Sequence, residues 1–311
     1  MPNPAPKQNW TLADAPRQAG KIAIVTGATG GLGYETALGL ARQGATTILT
    51  GRNPGKGAQA LSRIQREIPA AAIHFEMLDL ASLSAIAQFA DAITRQYSKI
   101  DILVNNAGVM GLPKRQLTRD GFEQQIGVNY LGHFALTAHL KDALRGGRVV
   151  NVASLAHRRA TLNPADLQCE KSYVPMRAYG QSKFAMLVFA LELHRRATHR
   201  QWDIRAIAAH PGWARTEIIG NGIGAGAPGL KAWLIQQGFD ALAQSAHDGA
   251  LPSLYAAMAP EAEGGAYYGP AGRSERRGPP GRAIIFPRAA DPAAGSALWA
   301  LSEKLTGVTF G

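Results

Sequence analysis

From Lys21 onward, short β-branched runs alternate with longer stretches of helical spacing, and this alternation constrains the fold more than any other feature. Lys21-Ile-Ala-Ile-Val-Thr26 reads as a buried strand ending in a glycine cluster. Further strands are predicted at Ala45–Thr50, Ala72–Leu78, Ile100–Val104, Arg148–Ala153 and Ile204–Ala209. Helices are predicted at Gly33–Gln43, Gly57–Glu67, Ser82–Tyr97 and Tyr179–Ala197, with a long helix inside Phe122–Leu144. A strand, a helix and a second strand in succession return the chain parallel to itself by a right-handed crossover. The pattern therefore predicts an α/β fold: a doubly wound, mostly parallel sheet of about seven strands with helices on both faces.

No linker interrupts the alternation. Composition first changes after Gly212, where 219–229 is loose and glycine-rich; a substrate loop is expected at about 217–245. A second change, at Gly264–Pro287, is dense in Gly, Pro and Arg and reads as irregular. The expectation is one domain at 20–260, an N-terminal extension at 1–19, and a C-terminal extension at 261–311 packed on the same domain. With 311 residues, 46% of them hydrophobic, the chain can build one such core.

The formal charge of +11 raises the question of nucleic acid. The cations are scattered, however, with the densest groups at 157–159, 195–196 and 273–282. A basic solvated surface is expected instead, one that also attracts an anionic dinucleotide. The single cysteine, Cys169, excludes an intramolecular disulfide and a Cys-x-x-Cys zinc site, and no metal is expected. No apolar run approaches the ~18–20 residues that cross a bilayer. Met1–Gly20 is polar and proline-rich without a signal-type apolar segment, so a cytoplasmic protein lacking a transmembrane segment is expected.

Thr26-Gly-Ala-Thr-Gly-Gly-Leu-Gly33 follows the first strand and opens a helix. Glycines there permit positive φ and close approach of backbone to a pyrophosphate, while the helix N-terminus offers free N–H groups. This is the context of a dinucleotide-binding, Rossmann-type turn, and Gly27, Thr29, Gly30, Gly31, Leu32 and Gly33 are its candidate contacts. An acid about twenty residues past the glycines would hold a ribose diol and repel a 2′-phosphate. Here the tip of the second strand reads Thr50-Gly-Arg-Asn53, with no acid and one guanidinium suited to a phosphate. NADP(H) is the expected cofactor, through Arg52 and Asn53, with NAD(H) compatible. Asp79, with Leu80 beside it, ends the third strand; it suits either an adenine amino group or the cap of the following helix. Asn105-Asn106-Ala107-Gly108 ends the fourth strand, where small and amide side chains suit a flat ligand crossing the switch point.

Tyr179 and Lys183 lie one helical turn apart and share a face. A tyrosine of ordinary pKa near ~10 is a poor base at neutral pH, and a neighbouring lysine cation is expected to favour its phenolate. Ser154, just past the fifth strand, can orient a substrate oxygen toward Tyr179, although a serine there also suits a turn. Asn129 lies within a predicted helix; its carbonyl can hold a water beside Lys183. His157, three residues after Ser154, is a candidate substrate contact or a surface histidine. Phe184–Leu191 is apolar nearly all round, so its helix is buried or packed against another subunit, and a homo-oligomer is compatible. Ile218–Phe239 contains Ile, Leu, Trp233 and Phe239, as a lipophilic pocket and lid or a helix packed into the core would.

Taken together, the chain resembles the short-chain dehydrogenases/reductases over roughly Gly20–Thr216. The resemblance rests on the glycine turn, Asn105–Gly108, Asn129, Ser154, Tyr179, Lys183 and Pro211-Gly212. Gly51-Arg-Asn53, Val128-Asn-Tyr-Leu-Gly-His-Phe134 and the insert Asp166–Tyr173 are similar to the retinol-dehydrogenase and protochlorophyllide-reductase-like branch. It implies a catalytic tetrad of Asn129, Ser154, Tyr179 and Lys183. It also implies cofactor contacts from Lys183 to the nicotinamide ribose, from Asn106–Gly108, and from Pro211, Gly212 and Thr216 to the carboxamide end. The implied activity is hydride transfer between NADP(H) and an alcohol or carbonyl substrate. Epimerase-like relatives share the Tyr, the Lys and the glycine spacing; the Asn-Asn-Ala-Gly run and the lack of a large C-terminal domain favour the dehydrogenases. A non-catalytic nucleotide-binding regulatory or scaffold protein of the same fold is the competing expectation.

Overall fold

The computed structural model describes residues 9–214 and 243–311. The elements are β1 (Ile22–Val25), α1 (Gly31–Arg42), β2 (Thr46–Gly51), α2 (Pro54–Glu67), β3 (Ile73–Met77), α3 (Leu83–Gln96) and β4 (Ile102–Asn105). A composite helix α4 follows, running through Gln124–Ile126, a π-helical Gly127–Leu131 and Gly132–His139. Then come β5 (Arg148–Val152), α5 (Pro175–His199), β6 (Arg205–Ala209), α6 (Ala246–Met258), β7 (Tyr267–Pro270), β8 (Pro280–Arg282), α7 (Pro287–Ala290) and α8 (Pro292–Thr306).

All eight strands form one sheet in the order β3-β2-β1-β4-β5-β6-β7-β8, parallel except for the last pair. The expected sheet of about seven strands thus gains an eighth, antiparallel at the edge. Both β7 and β8 come from the Gly-, Pro- and Arg-rich stretch that reads as irregular. They are short, and β8 contains Pro280, which an edge strand tolerates because its ladder is satisfied on one side only. A period-2 pattern cannot be read from so few residues.

Successive strand residues serve opposite faces, as the pleat requires. Ile24, Ile48, Leu103, Val149, Ala206 and Ala208 face a layer built from α3, α4, α5 and α8. Val25, Leu49, Val104, Val150, Ile207 and Ala209 face the layer of α1, α2 and α6. Burial on both sides explains why these strands read as continuous apolar runs rather than as alternating ones. The chain order reverses between β1 and β4, and the crevice beyond their C-terminal ends is where such sheets bind ligands. The N-terminal segment is docked too: Trp10 is buried edge-on against Tyr255 of α6, with ring centroids 5.3 Å apart.

Candidate active site

The crevice is built from the β1–α1 turn. Gly27 has φ +64°, and a Cβ there would lie 2.9 Å from the Cα of Ala107. A Cβ on Gly33 would overlap the Gly27 carbonyl oxygen. The turn is stitched to the end of β4: Asn106 Nδ2 donates to the Thr26 carbonyl at 2.8 Å, and Thr26 Oγ1 accepts from the backbone N–H groups of Asn106 (2.8 Å) and Ala107 (2.9 Å). Gly30, the N-cap of α1, supplies no side-chain cap, so the first N–H groups of the helix remain available to an anion.

One cleft is lined by Gly27, Thr29–Gly33, Arg52, Leu80 and Asn106–Gly108 from the sequence-derived set. Lys56, in the first turn of α2, joins Arg52 there and lies outside that set. The signal that could have found it is a cation four residues after the arginine, on the helix that Asn53 caps. Asn53 itself spends its side chain on that cap, accepting from Lys56 N at 3.0 Å. Asp79 accepts from Ala81 N at 3.1 Å and lies 3.7 Å from Arg119, in a neighbouring depression shared with Arg52. Pro211 and Gly212 follow β6, Pro211 beside Gly249 of α6 and Gly212 against Pro270 and Arg276, whereas Thr216 and Ile218–Phe239 lie outside the described residues.

The four catalytic candidates come from the segment just past β5, from within α4 and from the first three turns of α5. Ser154 caps the turn Leu155–Arg159, accepting from Ala156 N at 3.2 Å, and its hydroxyl stands near the Tyr179 phenol. Lys183 Nζ donates to the Val152 carbonyl at 2.8 Å. Asn129 lies not in regular α-helix but in the π-helical turn, a distortion that recurs at functional sites. Its side chain holds the segment after β4, accepting from Val109 N at 2.7 Å and donating to Val109 O at 2.9 Å and Ser182 Oγ at 2.8 Å. A Cβ on Gly108 would stand 3.1 Å from Asn129 Oδ1 and 3.5 Å from Lys183 Nζ, so the small residue lets the three converge.

Burial governs the electrostatics. It pulls the Lys183 ammonium down to about 8, and it raises the Tyr179 phenol, with the nearby Ser154 hydroxyl opposing the rise. The expected lysine-driven lowering of Tyr179 is not what sets the shift: burial dominates and keeps the phenol protonated. Nor is His157 a surface group. It is fully buried behind Ser154, with Nδ1 at 2.6 Å from the Ser154 carbonyl.

Sequence reasoning misses His133, although it stands in the motif around Asn129. Its Nδ1 lies 2.9 Å from the Asn129 carbonyl, which can only accept, so Nδ1 carries the proton. Nε2 then accepts from Thr26 Oγ1 at 2.9 Å. Burial holds this imidazole neutral, with a pKa of about 3. The residue links the glycine turn to the Asn129 carbonyl.

Residues 21–222 match the short chain dehydrogenase family. The human polyprenol dehydrogenase is 40% identical over 263 residues, covering 81% of this chain and 77% of that protein. Mouse retinol dehydrogenase 13 is 39% identical over 297 residues, covering 94% and 85% respectively. A short chain dehydrogenase from Escherichia coli CFT073, solved in complex with NADPH, superposes with a TM-score of 0.62 at 25% identity, over 84% of this chain and 98% of that one. With the glycine cradle, the Ser154–Tyr179 pair and Lys183 held at one end of a doubly wound sheet, the chain belongs to the short chain dehydrogenase family, in its retinol-dehydrogenase-like branch, and is an oxidoreductase.

Proposed function

We propose that the chain transfers a hydride between NADP(H) and a lipophilic alcohol or carbonyl compound in the cytoplasm, with Tyr179 as acid and base. The observation that carries this reading is the buried, protonated Tyr179 phenol near Ser154, on the helix that brings Lys183 Nζ up to Gly108 of the glycine-lined cleft. The cleft fits the cofactor: two glycines admit backbone contact, α1 presents its uncapped N-terminus, and Arg52 and Lys56 supply two cations where a 2′-phosphate would lie. The bound nicotinamide supplies or accepts the hydride. Ser154 holds the substrate oxygen, Tyr179 delivers its proton during reduction, and Lys183, with a water on the Asn129 carbonyl, restores it. A lipophilic substrate is supported by the two relatives, named for a retinol and a polyprenol. It is also supported by Val174 and Met176, 47% and 43% exposed, at the start of the helix that carries Tyr179. Among the described residues no helix is long and apolar enough to cross a membrane.

The deciding experiment is an NADPH-consumption screen over aldehydes, ketones, quinones and retinoids, with the corresponding alcohols in reverse. Absence of turnover across the panel in a protein that still binds NADPH would favour the scaffold alternative. Cofactor choice has its own test. Arg52→Ala is expected to raise KM for NADPH by roughly tenfold or more, the scale of one lost charge-assisted bond, and to leave KM for NADH almost unchanged. Equal effects on both cofactors count against a 2′-phosphate contact.

The pH dependence follows from Lys183. Its folded pKa is depressed, so the charged form is present below about 8 and lost above it. Reductive kcat is expected to be level at lower pH and to fall through that range. In Lys183→Arg, whose guanidinium stays protonated, the remaining activity is expected to lose that limb. A falling limb unchanged in Lys183→Arg would assign the titration elsewhere.

A further inference from the structure

The arginine-rich stretch after β7 contains one nearly buried acid, Glu275, 8% exposed. It closes the short turn Arg273–Glu275, and both Ser274 and Glu275 adopt φ of +57°. Two consecutive side-chain-bearing residues in the left-handed region are costly and persist only where the surroundings impose them. What imposes this conformation is visible in the carboxylate's partners. Oε2 lies 2.9 Å from His210 Nε2 and 2.7 Å from Arg158 Nη2, while Oε1 accepts from Ile284 N at 3.1 Å. The contact with Arg158 is an ion pair rather than an aligned hydrogen bond, and Arg158 Nη1 additionally donates to the Ser274 carbonyl at 3.2 Å.

The two partners come from different segments, each next to a residue of the candidate site. Arg158 lies on the turn Leu155–Arg159 that Ser154 caps. His210 is fully buried, and its Nδ1 accepts from the backbone N–H of Gly212 at 3.1 Å. That acceptor role fixes the proton on Nε2, which donates to Glu275. A carboxylate, an imidazole and an amide N–H thus run in series into the Pro211–Gly212 turn. The same stretch grips that turn again: Trp213 N donates to the Arg276 carbonyl at 2.8 Å, and the Arg276 guanidinium lies 4.2 Å from the centre of the Trp213 ring. Behind them, the Tyr267 ring packs against both His157 (5.4 Å) and His210 (5.0 Å).

We propose that Glu275 is a positioning residue whose carboxylate ties the Ser154 turn to the Pro211–Gly212 turn, fixing where the nicotinamide end of the cofactor lies relative to the substrate oxygen. The proposal rests on the reading above in which Pro211–Gly212 meets that end. It also gives the segment after β7 a role, that of bracing the site from behind without touching substrate. Glu275 acts through His210 and Arg158, as a second layer of contacts that orients the first.

The test separates the two halves of the cofactor and needs no substrate. NADPH and 2′,5′-ADP, which lacks the nicotinamide half, are titrated against the full chain and against Glu275→Gln, Glu275→Leu and Arg158→Met. Glu275→Leu is expected to weaken NADPH about tenfold, the scale of one lost bond to a charged group, and to leave 2′,5′-ADP within about twofold. Glu275→Gln, which keeps an acceptor for His210, is expected to fall between it and the wild type. The double variant Glu275→Gln/Arg158→Met is expected to be no weaker than Glu275→Gln, because both remove one linkage. Unchanged NADPH binding, a parallel loss of both ligands, or additive effects overturns the proposal. If Glu275→Leu does not fold, Glu275→Gln and Arg158→Met carry the same comparison. A wild-type chain that binds 2′,5′-ADP but gains nothing from the nicotinamide half refutes the underlying reading instead, and the clamp with it.

Discussion

Replacing Tyr179 by phenylalanine is expected to remove nearly all turnover while leaving the NADPH Kd within about threefold of wild type. The substitution deletes one oxygen from a ring that is already 8% exposed, so the packing of α5 against the Ser154 turn is kept. What disappears is the proton that the site has been built to hold. Burial raises the phenol, and the nearby Ser154 hydroxyl opposes that rise. Lys183, pulled down to about 8, is committed to the Val152 carbonyl at 2.8 Å. General acid catalysis contributes roughly 10²–10⁴-fold, and orientation of the substrate oxygen by Ser154 and Tyr179 together adds to it. In the proposed reading, cofactor affinity comes mainly from elsewhere: the glycine turn, the α1 N-terminus and the Arg52–Lys56 pair that line the cleft. Wild-type turnover in Tyr179→Phe, measured as NADPH oxidation with a substrate found in the screen, would falsify the assignment of the acid. A loss of turnover accompanied by an equal loss of NADPH binding would instead mean that the variant had disturbed the cleft.

The parts of this site that are legible in the sequence are those whose chemistry is local. Gly27 and Gly33 are needed because backbone and an amide side chain fill the space where a Cβ would stand, and a glycine cluster between a strand and a helix advertises that need. The spacing of Tyr179 and Lys183 is fixed by the helix they share. Residues whose role depends on distant partners are not legible. His157 follows Ser154 closely, which suggests a substrate contact or the surface, yet Tyr267 and Phe286, from far along the chain, bury it. Glu275 lies among arginines in a stretch with no periodicity, and its partners His210 and Arg158 come from two other loops. The sign of the Tyr179 shift is hidden for the same reason. The lysine is visible one turn away, but desolvation is the sum of everything packed around the ring. Strand β8 is hidden by brevity, since three residues carrying a proline and a glycine show no alternation. The π-helical turn at Asn129 leaves no signature either, because its residues keep the spacing of an ordinary helix.

The second large effect is expected at Trp299, where alanine should cost roughly 3–5 kcal/mol of stability, the usual range for a buried large aromatic. At roughly 2 °C per kcal/mol for a chain of this size, the melting temperature should fall by about 6–10 °C. Within α5, Phe184–Leu191 is too apolar to face water on any side. Either the same chain or a second subunit could cover it, and the structure shows the chain's own C-terminal helix doing so. Trp299 of α8, 2% exposed, stands edge-on to Phe134 of α4 at 5.2 Å and tilted against Phe189 of α5 at 5.9 Å, with Phe310 at 4.4 Å. Its indole N–H donates to Glu303 at 2.9 Å, and the Arg196 guanidinium of α5 lies 4.4 Å from its ring centre. Truncation leaves a cavity where three helices meet. The catalytic end of α5 lies turns away at Tyr179, so Trp299→Ala that remains folded at low temperature is expected to keep its kcat. Thermal unfolding followed by circular dichroism measures the shift. A melting temperature within a degree or two of wild type would mean that α8 is not the cover of α5, and that a partner surface has to be sought for that helix.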